Sequence, residues 1–197
     1  RFARLQELLA EARGAIDPAR VLAILRDKKG EGGADLGLGN RNALDAIIAT
    51  HSVIVDATDL VLWVSSGPHL LGRYVGFDLQ KELLAAEHPE YRDRPDPADL
   101  PPDPLLGSPA LRDFEQAVAE VRAAEKLQTS DPVRAVEGAE KAIGLAPRMP
   151  EAHKLLGDLL RARGDTARAS EEYRAFLALH PPYLADIERV KAILDGR

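Results

Sequence analysis

The stretch PEAHKLLGDLLRARGDTARASEEYRAFLALHPPY, residues 150–183, decides the fold of the C-terminal part of this 197-residue chain. Its apolar residues recur at helical spacing on either side of Gly164-Asp165, which predicts two helices joined by a tight turn. Three pairs of residues lie 34 positions apart: Ala135 and Ala169, Ala142 and Phe176, Pro147 and Pro181. A period of this length indicates repeated helical hairpins.

These residues resemble the tetratricopeptide repeat, a 34-residue unit of two helices. The second copy carries the residues of that pattern, which are Leu156, Gly157, Leu160, Gly164, Ala169, Tyr173, Phe176 and Pro181. The first copy, residues 116–149, is degenerate, with Lys126 and Ala139 where larger apolar groups are expected. A helix over 184–194 has the apolar stripe of a capping helix. The resemblance implies an all-α region, residues 111–197, that binds a protein or peptide or docks on the same chain.

Composition excludes several function classes. The formal net charge is −6 and no run of basic residues is present, which argues against binding of nucleic acid. Without cysteine, these residues hold no disulfide, no thiolate metal ligand and no cysteine nucleophile. The five histidines lack metal-ligand spacing, so we expect neither a metal nor another cofactor. No stretch approaches the ~20 apolar residues of a membrane span, and the cellular compartment stays open.

A proline-rich segment divides the chain. Residues 88–110 contain seven of the 14 prolines. Proline lacks an amide donor and fixes φ, so neither a helix nor a central strand continues through this segment. We predict an extended linker between a first region, residues 1–87, and the helical repeats of residues 111–197.

The first region opens with two predicted helices and a loop. Residues 2–12 have a helical apolar face, and Asp17-Pro18 is typical of an N-cap followed by the first helical position. Residues 30–39 contain five glycines. We predict a plain loop there rather than a phosphate cradle, because the glycines do not stand between a strand and a helix.

Predicted strands follow the loop. Residues 46–55 and 60–65 are rich in β-branched residues and form a predicted hairpin, residues 72–79 a third strand, and residues 80–87 a helix. The chain is therefore expected to have an α+β fold. Three antiparallel strands with these helices do not bury both faces of a sheet, so we expect a further layer from outside these residues.

The strand region resembles the last strands of the acyl-coenzyme A:6-aminopenicillanic acid acyltransferase-like family of N-terminal-nucleophile hydrolases. The segments that carry the resemblance are NRNALD (40–45), IATHSVIV (48–55), LWVS (62–65), GP (67–68) and LGRYVGFDL (71–79). The resemblance covers residues 1–87 and implies the C-terminal part of a four-layer αββα sandwich. It also implies attack on the carbonyl of an acyl-amide or acyl-thioester, with transfer of the acyl group to water or an amine.

Members of this family cleave themselves to expose a cysteine whose own α-amino group acts as base. The present chain has no cysteine and begins with Arg1, so we expect the nucleophile upstream and the chain to be the C-terminal portion of an autoprocessed amide hydrolase or acyltransferase. The alternative is a non-catalytic adaptor or scaffold that uses the helical repeats alone.

Three residues of this chain are candidates for the pocket. Arg41 loosely matches an arginine near the pocket of some relatives, or is a solvated surface residue. Asn42 either donates a hydrogen bond to an oxyanion or substrate, or caps a turn. His51, on a predicted strand, either contacts substrate or is a buried histidine with its hydrogen bonds satisfied.

Overall fold

The computed structural model describes residues 1–14 and 16–196, and the chain divides into two compact units. The sheet unit comprises Arg1–Asp27, Glu31–Gly33 and Leu44–Leu106, and the helical unit comprises Lys28–Gly30, Ala34–Ala43 and the residues from Gly107 onward. Eight α-helices and one three-stranded antiparallel sheet are found among the described residues, which confirms a mixed α+β chain. None of these helices has both the length and the apolar composition that crossing a membrane requires.

The sheet unit contains three helices and the sheet. Its elements are α1 (Phe2–Glu11), α2 (Pro18–Leu25), β1 (Val53–Asp56), β2 (Val61–Ser65), β3 (Tyr74–Asp78) and α3 (Leu79–Leu84). As predicted, Asp17 caps α2, where its carboxylate accepts a hydrogen bond from the Arg20 amide at 2.6 Å. The strands lie in the order β1-β2-β3, with Ile54 opposite Trp63 and Trp63 opposite Gly76.

The first strand is much shorter than predicted. It begins at Val53, so the prediction of a strand from residue 46 is wrong over residues 46–52. The Asp45 carboxylate accepts a hydrogen bond from the Ile47 amide at 2.9 Å, and Ile47 has a φ of 52°. This turn prevents a strand from forming at residue 47, because a residue at positive φ does not have the extended backbone of a strand. The helix after β3 also ends earlier than predicted, at Leu84.

One face of the sheet is covered by protein. Ile54, Trp63 and Tyr74 are buried on this face and pack against Leu22 of α2. The Trp63 indole Nε1 donates a hydrogen bond to the Ala98 carbonyl at 3.0 Å, which satisfies its one polar atom.

The proline-rich segment lies against this sheet rather than free of it. The Leu100 amide donates to the Tyr74 carbonyl at 2.9 Å, and the Tyr74 amide donates back at 3.0 Å. The Asp99 carboxylate accepts from the Gly76 amide at 3.2 Å, and Arg94 pairs with Asp78 at 2.6 Å. Prolines lack the donor for such bonds, but the residues between them keep theirs. The segment up to Leu106 therefore belongs to the sheet unit, in contrast to the expected boundaries at residues 87 and 111.

The second face of the sheet is apolar throughout. Strand register places six residues on it: Val53, Val55, Leu62, Val64, Val75 and Phe77. Val53 and Val55 are 52% and 57% exposed, and the other four are half-buried. None of the six belongs to a hydrophobic core cluster of the described residues, so no apolar layer of the sheet unit packs on this face as α2 packs on the first.

The helical unit is built from two helix–turn–helix pairs and a final helix. Its helices are α4 (Pro109–Leu127), α5 (Pro132–Leu145), α6 (Pro150–Ala162), α7 (Thr166–Ala178) and α8 (Leu184–Leu194). Asp131 caps α5 and Asp165 caps α7, each accepting from a backbone amide at 3.2 Å. These two caps stand 34 residues apart in the chain.

Small residues set the helix spacing in this unit. A Cβ atom on Gly157 would lie 2.7 Å from the Tyr173 ring, so only glycine lets α6 and α7 approach this closely. The Tyr173 hydroxyl donates to the Asp158 carboxylate at 2.7 Å. Ala135 and Ala169, which share the repeat position, are both buried in the core of the unit.

Candidate functional site

Residues 34–43, here called the arm, pack on the helical unit at the C-terminal end of α7. Asn40 is 2% exposed, and its amide nitrogen donates to the carbonyls of Leu179 at 3.3 Å and His180 at 3.2 Å. The Asn42 amide nitrogen donates to the same His180 carbonyl at 2.9 Å. Carbonyls at a helix end lack intrahelical donors, so the arm supplies them from outside the helix.

Two glycines bring the arm into close contact with the helices. Gly37 and Gly39 have φ of 75° and 76°, and a Cβ atom on them would lie 2.7 Å from Arg148 and 2.3 Å from the Phe114 ring. The Arg148 guanidinium pairs with the Asp35 carboxylate at 3.1 Å. The predicted loop is irregular backbone, but its glycines serve close packing.

A groove in the helical unit has a cavity volume of about 420 Å³. Its polar lining consists of Glu125, Gln128, Glu151, Lys154, Asp158 and Asp186. Its other lining residues are Leu155, Phe176, Pro181, Pro182 and Tyr183. Four carboxylates against one lysine give the groove an excess of negative charge over an apolar floor.

Two of these carboxylates have cationic partners and two do not. Lys154 pairs with Asp186 at 3.2 Å, and Arg189 pairs with Asp158 at 2.9 Å. Among residues 1–14 and 16–196, no ion pair forms with Glu125 or Glu151. Desolvation by the surrounding protein raises the pKa of the Glu151 carboxyl, and the positive charges of Arg41 and Lys154 oppose this shift.

Arg41, on the arm, contacts the ring of a residue that lines the groove. Its guanidinium carbon lies 5.9 Å from the centre of the Tyr183 ring, within the range of a cation–π contact. Because Tyr183 lines the groove, a guanidinium contributed by the chain itself lies against part of the groove lining.

The three predicted site residues are divided between the units. Arg41 and Asn42 lie together on the arm, whereas His51 belongs to the sheet unit. His51 is exposed rather than buried, and its Nδ1 lies 3.0 Å from the Thr50 hydroxyl. Strand alternation does not apply to it, because it precedes β1.

His51 borders a cavity of about 430 Å³ in the sheet unit. The cavity is lined by Arg1, Leu44, Asp45, Ala46, Ile48, Ala49, Thr50, His51 and Leu70. Five of these nine residues are apolar, so the cavity favours an apolar group with a few polar contacts. No group of three or more potential metal ligands occurs in the described parts of the chain.

No pattern in the sequence singles out Asn40, Glu151 or Tyr183. Asn40 directly follows the glycine-rich segment, and Tyr183 follows Pro181-Pro182, but neither pattern has a specific chemical meaning. Their roles depend on residues more than a hundred positions away, which no local pattern records.

In comparisons with known proteins, no family model matches the chain, and no curated protein matches it significantly.

Proposed function

We propose that this chain is the C-terminal part of an N-terminal-nucleophile amide hydrolase or acyltransferase, joined to a tetratricopeptide-like helical module. The observation that carries the proposal is the apolar second face of the sheet, which runs from Val53 on the edge strand to Phe77 on β3. Antiparallel sheets with one solvated face alternate apolar and polar residues, and this sheet does not.

The layer order of an αββα sandwich accounts for both faces of this sheet. In such a sandwich each sheet has helices on one face and the other sheet on the second face. Here α2 covers the face of Ile54 and Trp63, and the six-residue face of Val53, Val55 and their neighbours is left for a second sheet. Facing sheets pack about 10 Å apart through such apolar side chains.

The proposed chemistry is acyl transfer through a covalent intermediate. A nucleophile on the polypeptide preceding these residues attacks an amide or thioester carbonyl, the amine or thiol leaves with a proton, and water or an amine takes the acyl group. This chain supplies one sheet of the sandwich. In this proposal the cavity beside His51 contributes a wall that contacts the acyl group, since most of its lining is apolar.

The test begins with the protein purified from its native host. Intact mass and N-terminal sequencing would support the proposal if they show two associated fragments, one of them starting at a thiol or hydroxyl residue. Hydrolysis of acyl-amino acids, lost when that residue is replaced by alanine, would complete the support. A single unprocessed polypeptide without amide hydrolysis would overturn the proposal.

A second candidate function is that of a non-catalytic adaptor, and the groove of the helical unit favours it. This groove combines exposed carboxylates with an apolar floor and does not depend on any residue outside the helical unit. Binding of a partner by an unprocessed, catalytically inert protein would support the adaptor.

A further inference from the structure

We propose that the groove of the helical unit binds a peptide segment that presents arginine or lysine side chains. This inference concerns the helical unit alone and does not rest on the amide hydrolase proposal. It can therefore succeed or fail separately from that proposal.

Charge is the first reason. Glu125 and Glu151 line the groove without a cationic partner among the described residues, and Lys154 is already paired with Asp186. An occupant with one or two positive charges would complement these two carboxylates, which have no ion pair among the described residues. A carboxylate-bearing occupant would meet like charges, which disfavours binding.

The second reason is Arg41. The guanidinium of this residue lies over the Tyr183 ring, and its charge acts on the Glu151 carboxyl. A guanidinium is therefore a group that the Tyr183 ring, part of the groove lining, contacts within this chain.

The third reason is the way in which Arg41 is presented. It is held by an irregular peptide segment, the arm, whose Asn40 and Asn42 amides bond to the carbonyls that end α7. The floor of Leu155, Phe176 and Pro181 next to it offers apolar surface for the methylene stem of a long basic side chain. A basic side chain carried on a peptide therefore fits better than a free inorganic cation.

The experiment is a titration of the whole chain, residues 1–197, with the capped peptide acetyl-GRGRG-amide. A matched peptide has citrulline in place of both arginines, which keeps the shape of the side chain and removes its charge. We expect the arginine peptide to bind at least ten-fold more tightly by calorimetry. Backbone amide shifts in NMR spectra should concentrate at Glu151, Leu155 and Tyr183.

Matched variants separate the groove from general attraction to an acidic protein. Glu151→Gln should weaken binding about two- to five-fold. Glu137→Gln, which changes an exposed carboxylate on α5 outside the groove, should leave the affinity unchanged. Arg41→Gln should tighten binding because it removes the guanidinium that lies on Tyr183. The control is Arg122→Gln, which changes an exposed arginine on α4 outside the groove lining and should leave the affinity unchanged.

Several outcomes would overturn the inference. These are equal affinity for the arginine and citrulline peptides, equal effects of Glu151→Gln and Glu137→Gln, shifts spread over other acidic surfaces, and no binding at millimolar peptide. Binding of free N-acetyl-arginine methylamide as tight as that of the peptide would show a small-molecule site instead.

Discussion

The Asn40 side chain donates a hydrogen bond to the carbonyl of Leu179, a residue 139 positions further along the chain. The second carbonyl that Asn40 contacts, that of His180, also accepts from Asn42. One asparagine thus joins the arm to the end of α7, where helix carbonyls need donors.

Replacing Asn40 with alanine should destabilise the helical unit. The variant removes the side-chain donor of the Leu179 carbonyl, and the His180 carbonyl keeps only the donor of Asn42, so the loss beside the buried position of residue 40 costs about 1–3 kcal/mol of unfolding free energy. Urea denaturation monitored by circular dichroism measures this. Asn42→Ala is the matched control, because its single bond lies at the surface and should cost less than about 1 kcal/mol. Equal losses in the two variants would contradict the role of burial.

Gly157→Ala and Gly144→Ala should change stability in opposite directions. The new methyl at residue 157 meets the Tyr173 ring, so α6 and α7 must separate, at a cost of about 1–3 kcal/mol. Gly144 lies within α5 and has nothing within 4 Å of an added Cβ, so alanine should stabilise the helix by about 0.5–1 kcal/mol. Thermal unfolding of both variants tests the pair, and a stable Gly157→Ala protein would show that the helices have more room.

The double variant Val53→Thr/Val55→Thr should lower surface hydrophobicity with little loss of stability. Both side chains are more than half exposed, and threonine keeps the β-branched shape suited to a strand. We expect reduced binding of a fluorescent hydrophobic dye and an unfolding free energy within about 1 kcal/mol of the parent. Ile54→Ala, on the buried face of the same strand, should instead cost about 2–5 kcal/mol. Unchanged dye binding in the double variant would mean that the dye does not bind this face of the sheet.

The ion pair of Asp78 should make the stability of the sheet unit depend on acid pH. The hydrogen bond from Arg94 holds the pKa of the Asp78 carboxyl below its usual range, and the backbone amides of Lys81 and Gln80 act in the same direction. A lowered pKa in the folded state favours the ionised form, so this stabilisation is complete above the unfolded pKa of about 3.9. It is lost as the pH falls through the lower folded value.

Asp78→Asn is the variant that isolates this effect. Asparagine keeps an N-cap oxygen for α3 but cannot titrate or pair with Arg94. Unfolding free energies measured between about pH 5 and pH 2 should fall less steeply for this variant than for the parent. Asp59→Asn, at an exposed turn, is the control and should leave the slope unchanged. If the unfolding free energy of Asp78→Asn falls with pH as steeply as that of the parent, the acid dependence does not come from Asp78.

Local patterns in the sequence predicted most of the regular structure. The Asp17-Pro18 cap, the hairpin of β2 with a shorter β1, the third strand and the turn at Gly164-Asp165 follow from residues within a few positions of each other. The wrong prediction of a strand at residues 46–52 also has a local cause. The β-branched residues there favour a strand, but the Asp45 side chain binds the Ile47 amide and turns the chain.

The candidate site was predicted less completely. Arg41 and Asn42 were identified, but as pocket residues of the sheet region, whereas they lie on an arm of the helical unit. Glu151 and Tyr183 were not identified, because a glutamate in the first turn of a helix and a tyrosine before a helix have ordinary structural explanations.

Near neighbours in the sequence dictate the helices and most strand residues, since caps, turns and apolar spacing act over a few positions. The packing of residues 34–43 and 88–106 depends on the tertiary structure, because irregular backbone has no period and its hydrogen-bond partners lie far away in the sequence. Asn40 with Leu179, and Leu100 with Tyr74, are such partners. The tertiary structure also determines that α2 covers one apolar face of the sheet and that no core cluster includes the other, since continuous apolar residues in a strand show that both faces are apolar but not what lies against either.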